Sequence, residues 1–488
     1  MPLTRKQQIL FKRETSEGVS AAPDATNAVL VFEPSISDSV ETNDRVPAGS
    51  TLSREVVPTG RRTRTIGFQN DLRGSGDVSA PIDEPDWGQM IECSGYETVT
   101  LREIPLPTFT SGTGYHLGEI VQQSSTIRGI VCGLFNAAGA FVHTLAAAGT
   151  VVVVEIAGAM ADAGTLTGES SNSVGTGGTV ADYAGRAYKP TSLKLITLAA
   201  SGGFAGAGSD PEAGDVVTVL RGGAQVGIAQ VSSINGGGTS LEVSLLDGQV
   251  ALADVLYWSA TAAATLTSAP IMSKTPSATI SHNLDGRRRD LVGARGDFEL
   301  TADAGNPLSF NWTWTGDPAT AVDAVPFATS GLSNVRAPRL FAADGAVCTY
   351  ADTVNVPDDG DTAAQQLRLA TKSVSYSSGN SVSPDIDANS AGGARGANIT
   401  DRDPTYSATV NQAHSGFDWE DKRDNSKLVH AAVVVGSTPG NICGLVIPRG
   451  QVLEANIGDS DGVATHEVQI KPRRVREQGD DEIIFFQM

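Results

Sequence analysis

From Asp297 the chain alternates: Phe298, Leu300 and Ala302 take turns with Glu299, Thr301 and Asp303. After Ala304-Gly305-Asn306-Pro307, the residues Leu308, Phe310, Trp312 and Trp314 alternate with Ser309, Asn311, Thr313 and Thr315. A period of two predicts strands, and two such runs joined by a short Gly-Asn-Pro connection predict an antiparallel hairpin with one apolar and one polar face. Register is strongly specified. Burial of a Leu or a Phe contributes roughly 1.5 to 3 kcal/mol, and a slip of one residue turns the whole apolar set to the wrong side. The triplet Arg295-Gly296-Asp297 at the head of this pattern is read as the start of a strand that carries a glycine, rather than as an adhesion signal.

The same reasoning predicts a strand over AVLVFEPSI (28–36), a polar loop through Asp44, Pro47 and Gly49, and a strand within RRTRTIGFQNDL (61–72). Pro85, then Trp87, Met90 and Ile91 on one side, and Gly95 at the end, predict a short helix. Between 113 and 270 Gly, Ala, Ser and Thr dominate. Four segments, starting at Leu117, Ala163, Ala213 and Ala253, each pair an apolar strand with a small-residue turn and a second strand, as short hairpins do. Cleaner alternation returns with QQLRLATKSVSYS (365–377), a loop over 378–404, a hairpin from LVHAAVVVG (428–436) to NICGLVIP (441–448), and closing strands at 464–472 and 481–486. The fold class expected is mostly β. The domains expected are 1–112, an inserted small β domain over 113–270, and 271–488.

Composition agrees with many short strands and turns: 54 Gly and 18% charged residues in a chain of 488. A formal charge of −20 argues against tight binding of DNA or RNA. The start MPLTRKQQILFKRE lacks the apolar run of a signal peptide, and the most apolar stretch, 146–161, is too short to span a membrane and holds Glu155. Cys93, Cys132, Cys348 and Cys443 have no paired spacing and are expected to be buried free thiols. No phosphate loop, zinc helix or nucleophile elbow occurs. Asp459-Ser460-Asp461-Gly462 begins like a calcium loop but lacks its later ligand positions, so a polar turn is expected. Asp401 and Asp403 around Arg402 are expected in a salt-bridged strand start rather than as an acid–base pair. No catalytic, cofactor or metal residues are assigned.

KQQILFKRETSEGVSAAPDATNAVLV, PDWGQMIECSGY, LDGRRRDLVGARGDFELTADAGNPLSFNWTWTG, ITDRDPTYSATV and GSTPGNICGLVIPRGQVLEANIGDSDGVATHEVQI closely resemble, in order and spacing, the major tail tube proteins of long-tailed bacteriophages. The resemblance covers roughly 6–110 and 277–488; residues 113–270 fall outside it. It implies two tail-tube units of β-sandwich or half-barrel form with a short helix, and an extra domain on the tube exterior. It implies a virion protein, assembled in the host cytoplasm, whose rings stack into a conduit for the genome. If each flank holds one unit, three chains give a ring of pseudo-sixfold symmetry. The N-terminal arm and the 37–60 loop become candidates for ring-to-ring contact. The partners implied are further copies of the chain, a tape measure protein, tail terminator and tail-tip proteins, and DNA that passes without tight binding; no membrane is expected. Glu299, Thr301, Asp303, Asn311 and Thr313 are the residues expected to face the channel.

Two other readings compete. One is a virion-surface or secreted β-rich adhesin, for which the Gly- and Ser-rich insertion and the Arg-Gly-Asp triplet speak. The other is a polysaccharide hydrolase, which requires two carboxylates facing each other across a cleft; no such pair is marked in the sequence.

Overall fold

The computed structural model describes residues 6–15, 17–42, 59–78, 83–191, 193–198, 215–221, 224–234, 240–250, 255–259, 262–268, 272–273, 275–319, 321–323, 337–342, 346–352, 367–388, 390, 393–411, 417–476 and 479–488. The chain is mostly β, with two short α-helices among the described residues. The expected loop through Asp44, Pro47 and Gly49 lies outside them.

One order of elements occurs twice. The first copy runs through strands Gln7–Arg13, Phe32–Thr42 and Thr59–Asp71, helix Gly88–Glu92, and strands Ala278–Leu284, Arg287–Asp303 and Ser309–Pro318. The second runs through strands Val347–Asp352, Thr371–Ser377 and Thr405–Asn411, helix Trp419–Asp424, and strands Leu428–Val435, Cys443–Ser460 and Val463–Pro472. The pairings correspond one to one. In each copy the first strand pairs with the fourth, the second with the third, the third with the sixth, the fourth with the fifth, and the fifth with the sixth. An Asp-Trp pair stands at the start of each helix, Asp86-Trp87 just before the first and Asp418-Trp419 capping and opening the second, and both indoles are buried.

This repetition moves the expected domain boundaries. Strand 59–71 needs a backbone mate on its far side. Strand 309–318 provides one over eight registered pairs from Ser309↔Asp71 to Gly316↔Arg64, so the hairpin at 287–318 completes the first copy rather than opening a separate C-terminal unit. Compact packing joins 1–189 with 277–473 and 482–488, and sets 190–276 with 474–481 apart. The four recurring segments of 113–270 do form hairpins: Ile120–Ser124 with Ile127–Asn136, Thr165–Gly168 with Val174–Thr176, Val216–Arg221 with Ala224–Ile234, and Val255–Ser259 with Ala262–Ser268. The first two belong to an eight-stranded sheet that begins at Leu101, inside the expected first domain, and packs within the larger unit. The last two belong to a seven-stranded sheet in the smaller unit.

Two local expectations are corrected. The predicted loop over 378–404 contains a hairpin, Asn380–Ile386 with Ala394–Arg402; its Ser, Gly and Asp content resembles a loop, but Asn380, Ala394, Gly396 and Ala397 are buried. Gly293, at φ 63°, meets Gly396 so closely that a Cβ would lie 2.7 Å from the other glycine's Cα, and only glycine fits there. The Arg-Gly-Asp triplet lies in the middle of strand Arg287–Asp303, not at its start.

The core of the large unit lies under the repeated strands and is rich in aromatics. Phe485, on closing strand Ile484–Gln487, packs its ring 5.4 Å from Tyr376, 5.7 Å from Tyr96, 5.7 Å from Phe298 and 6.3 Å from Phe310. It thereby joins elements of both copies. Two tyrosine pairs add buried hydroxyl contacts, Tyr96–Tyr376 at 2.8 Å and Tyr350–Tyr406 at 2.9 Å. All four cysteines are free and buried, and burial pushes every thiol up, Cys348 to about 12. Replacing Phe485→Ala is expected to destabilise the unit by about 3–5 kcal/mol, read as a lowered urea midpoint; a change below about 1 kcal/mol contradicts its place as the shared hub.

A candidate assembly surface

Eight strands stand side by side in the order 32–42, 59–71, 309–318, 287–303, 371–377, 405–411, 463–472, 443–460. The first four belong to the first copy and the last four to the second. Because each pairing is in register, one cross-strand row reads Asp71, Ser309, Thr301, Ser375, Ser407, Gln469, Glu454. The neighbouring row on the opposite face reads Asn70, Phe310, Leu300, Tyr376, Tyr406, Ile470, Val452, every member buried. The alternation first seen in one hairpin thus extends across the whole run: one face forms the core and the other is polar.

All five residues expected at the channel fall on this polar face. Glu299, Asp303 and Thr313 are exposed, and Thr301 and Asn311 are half-buried. Glu299 pairs with Asn311 and accepts a 2.8 Å hydrogen bond from Ser375 Oγ. The structure adds Glu454, Asn456, Glu467 and Gln469 from the other end of the run. With Asp303, Thr301, Ser373, Ser375, Ser407 and Thr409 they line a shallow hollow of about 500 Å³ that, among the described residues, has no Lys or Arg in its wall. These additions follow the same period-two signal in ATHEVQIKP and QVLEANIGD, but a register shift between Val452 and Glu454 breaks the simple alternation of the longer strand. Lys471, on the same face, is bound to Asp403 at 2.5 Å, and Arg402 is bound to Glu482 at 2.7 Å. Asp459 accepts the Gly462 amide at 2.8 Å and closes a turn. Among the described residues no group of three His, Cys, Asp or Glu side chains is placed to hold a metal ion.

Both margins of the run are unpaired among the described residues. Among the described residues strand 32–42 pairs only with 59–71, and the 452–460 part of strand 443–460 pairs only with 463–472. Val40 and Ile457, 45% and 65% exposed, lie at these margins on the side that is buried elsewhere in the sheet. A long strand edge that exposes apolar side chains is a template for pairing with another chain.

The Arg-Gly-Asp triplet serves the interior. Arg295 is 2% exposed; its guanidinium donates to Glu17 Oε1 at 2.7 Å and to the Ala397 carbonyl. Asp297 accepts from Ser378 Oγ at 2.5 Å and from the Asn380 amide at 2.9 Å. The second copy repeats the Arg-Gly pair at Arg449-Gly450, in the matching long strand. Neither glycine has room for a side chain: a Cβ would lie 2.8 Å from the Trp314 ring at Gly296 and 2.4 Å from Ile470 Cγ2 at Gly450. These are the places where each long strand passes from pairing within its outer partners to pairing along the polar run.

No protein-family model matches the chain, and no curated protein sequence matches it. Among the described residues no helix is long and apolar enough to cross a membrane.

Arg295→Ala removes one partner of a buried ion pair and is expected to cost about 3 kcal/mol of stability, measured by thermal or urea unfolding. A variant as stable as the parent contradicts the interior role of the triplet.

Proposed function

We propose that the chain is the structural subunit of a bacteriophage tail tube, a non-enzymatic virion protein that assembles with copies of itself into stacked rings around a channel for the genome. The observation that carries this reading is a single eight-strand run that is apolar on one face, polar and carboxylate-bearing on the other, and, among the described residues, unpaired at both margins. A self-contained sandwich hides or covers its edges, whereas a wall segment leaves them for its neighbours. Pairing of strand 32–42 on one copy with strand 452–460 of the next would continue the sheet into a closed ring and bury Val40 and Ile457.

The internal repetition supports the stoichiometry. Each chain supplies two sets of four strands, so three chains supply the six similar sets of a pseudo-sixfold ring. The polar face then looks inward, with Glu299, Thr301, Asp303, Asn311, Thr313, Glu454 and Glu467 on the channel. Carboxylates and hydroxyls hold no phosphate and offer no counterion release, so DNA passes without lodging. A tape measure protein fills the channel during assembly, and terminator and tip proteins close its ends. The segments that resemble tail tube proteins include most of this wall, and the 190–276 unit lies outside the repeated elements. The adhesin reading loses its main support because Arg295 of the triplet it requires is buried and Asp297 is half-buried and bonded to Ser378 and Asn380.

Sedimentation velocity on the parent and on a Val40→Lys, Ile457→Lys double variant tests this. Both sites are exposed, so folding stability is expected to stay within about 0.5 kcal/mol per site. The parent is expected to sediment as rings or tubes and the variant as a monomer with an unchanged melt. A parent that remains monomeric, or a variant that assembles like it, overturns the reading.

A further inference from the structure

A buried pair of imidazoles joins the eight-stranded sheet to the repeat core, whatever the chain builds. His116 lies on Tyr115–His116, in the segment that links strands Thr108–Ser111 and Ile120–Ser124 of that sheet. His430 lies on strand Leu428–Val435 of the second copy. Both are buried, at 1% and 0% exposure, with ring centroids 6.2 Å apart. Neither nitrogen of His430 has a hydrogen-bond partner, nor does Nδ1 of His116. The contact is close along its length: a Cβ on Gly118 would lie 3.4 Å from the Ala431 carbonyl and 3.8 Å from His430 Cδ2. The segment's own side is firmly held, since Glu119 accepts from the His116 amide at 3.0 Å and from Ser170 and Ser171, and Tyr115 donates to the Leu166 carbonyl at 2.7 Å.

We infer that the His116–His430 contact is an acid-sensitive joint, in which neutral rings let segment 113–119 pack on strand 428–435 and protonation of either ring drives the two apart. A buried imidazolium here has no acceptor for its proton and faces a second ring that titrates in the same range. Burial holds His430 down to about 3, with His116 adding to the effect, and holds His116 down to about 4, with His143 adding. The sign follows from linkage. Folded values below the unfolded value give stability that is complete above about pH 6.5 and is lost as pH falls toward the folded values. Between pH 7 and about pH 4.5 the balance shifts toward the open form by roughly 10²-fold per ring.

The titratable and charged groups on the elements packed around the pair include Glu119 on the linking segment, His143 next to Thr144 that pairs with His116, Asp352 at the end of strand Val347–Asp352 with Lys422, and Arg449 on strand 443–460 with Glu169. Glu119 acts in the opposite sense, because burial raises it and acid favours its closed form. His282, also buried and lowered to about 4, lies on strand Ala278–Leu284 against Gln7 and is a separate titration.

Hydrogen exchange of the full chain, expressed as protection factors so that the acid slowing of intrinsic exchange cancels, tests the joint. From pH 7 to about pH 4.5 peptides covering 115–121 and 428–434 are expected to lose at least 10²-fold in protection, while 298–314 keeps its own. His430→Leu and His116→Asn are each expected to reduce that loss, the double variant to abolish it, and His282→Gln to leave it unchanged. Should His430→Leu fail to fold, His116→Asn carries the test. Unchanged protection in the parent, equal loss across 298–314, or a His430→Leu or His116→Asn variant that responds like the parent overturns the inference.

Discussion

Continuous backbone pairing across the eight-strand run is the constraint on which the rest of the structure depends. Strands in register carry their side chains in rows, so a single choice of face at Phe298 is imposed on every neighbour as far as Val452 on one flank and Phe68 on the other. The apolar rows then demand a second layer. That layer is supplied by the first and fourth strands of each copy and by Ile484–Gln487, whose Phe485 touches aromatics from both copies. The polar rows need no cover. What remains unsatisfied is at the margins, and the proposed assembly is the consequence of that remainder.

The long strands connect the two layers, and their chemistry explains the triplet that first draws the eye. Strands of 17 and 18 residues each change partners midway, and each has an Arg-Gly pair near the change. The glycine lets a side chain of the neighbouring strand press on the backbone, and the arginine reaches a carboxylate, Glu17 in one copy and Glu169 in the other. The aspartate of the triplet has no counterpart: Gln451 occupies its place in the second copy. Two copies of one architectural solution therefore include, in one case, a sequence that resembles a recognition signal.

Much of this was legible in the chain because period two is a strong local signal. The hairpin at 298–314, the strand at 464–472 and the four small-residue hairpins are all visible from alternation and turn chemistry. The polar face of the candidate surface was visible as a set of five residues in one hairpin. Its extent was not, since which strands stand beside Thr301 is decided by pairings between residues far apart in sequence, such as Ser309 with Asp71, 238 positions away. The repetition was hidden for a related reason. The first copy is interrupted between Gly88–Glu92 and Ala278–Leu284 by the eight-stranded sheet and the smaller unit, so its last strands appear to open a new domain. The hairpin at 380–402 was concealed by turn-like composition, although its Asn380 and Ala397 hydrogen-bond to strand 287–303.

The central claim is that the polar face closes on itself through copies of the chain. A cryo-electron microscopy reconstruction of the assembled protein tests it most directly. The account predicts three chains per ring, strand 32–42 of each chain hydrogen-bonded to strand 452–460 of the next, and Glu299, Asp303, Glu454 and Glu467 on the wall of a central channel. Assemblies in which that face points outward, or in which these margins stay apart, would contradict it.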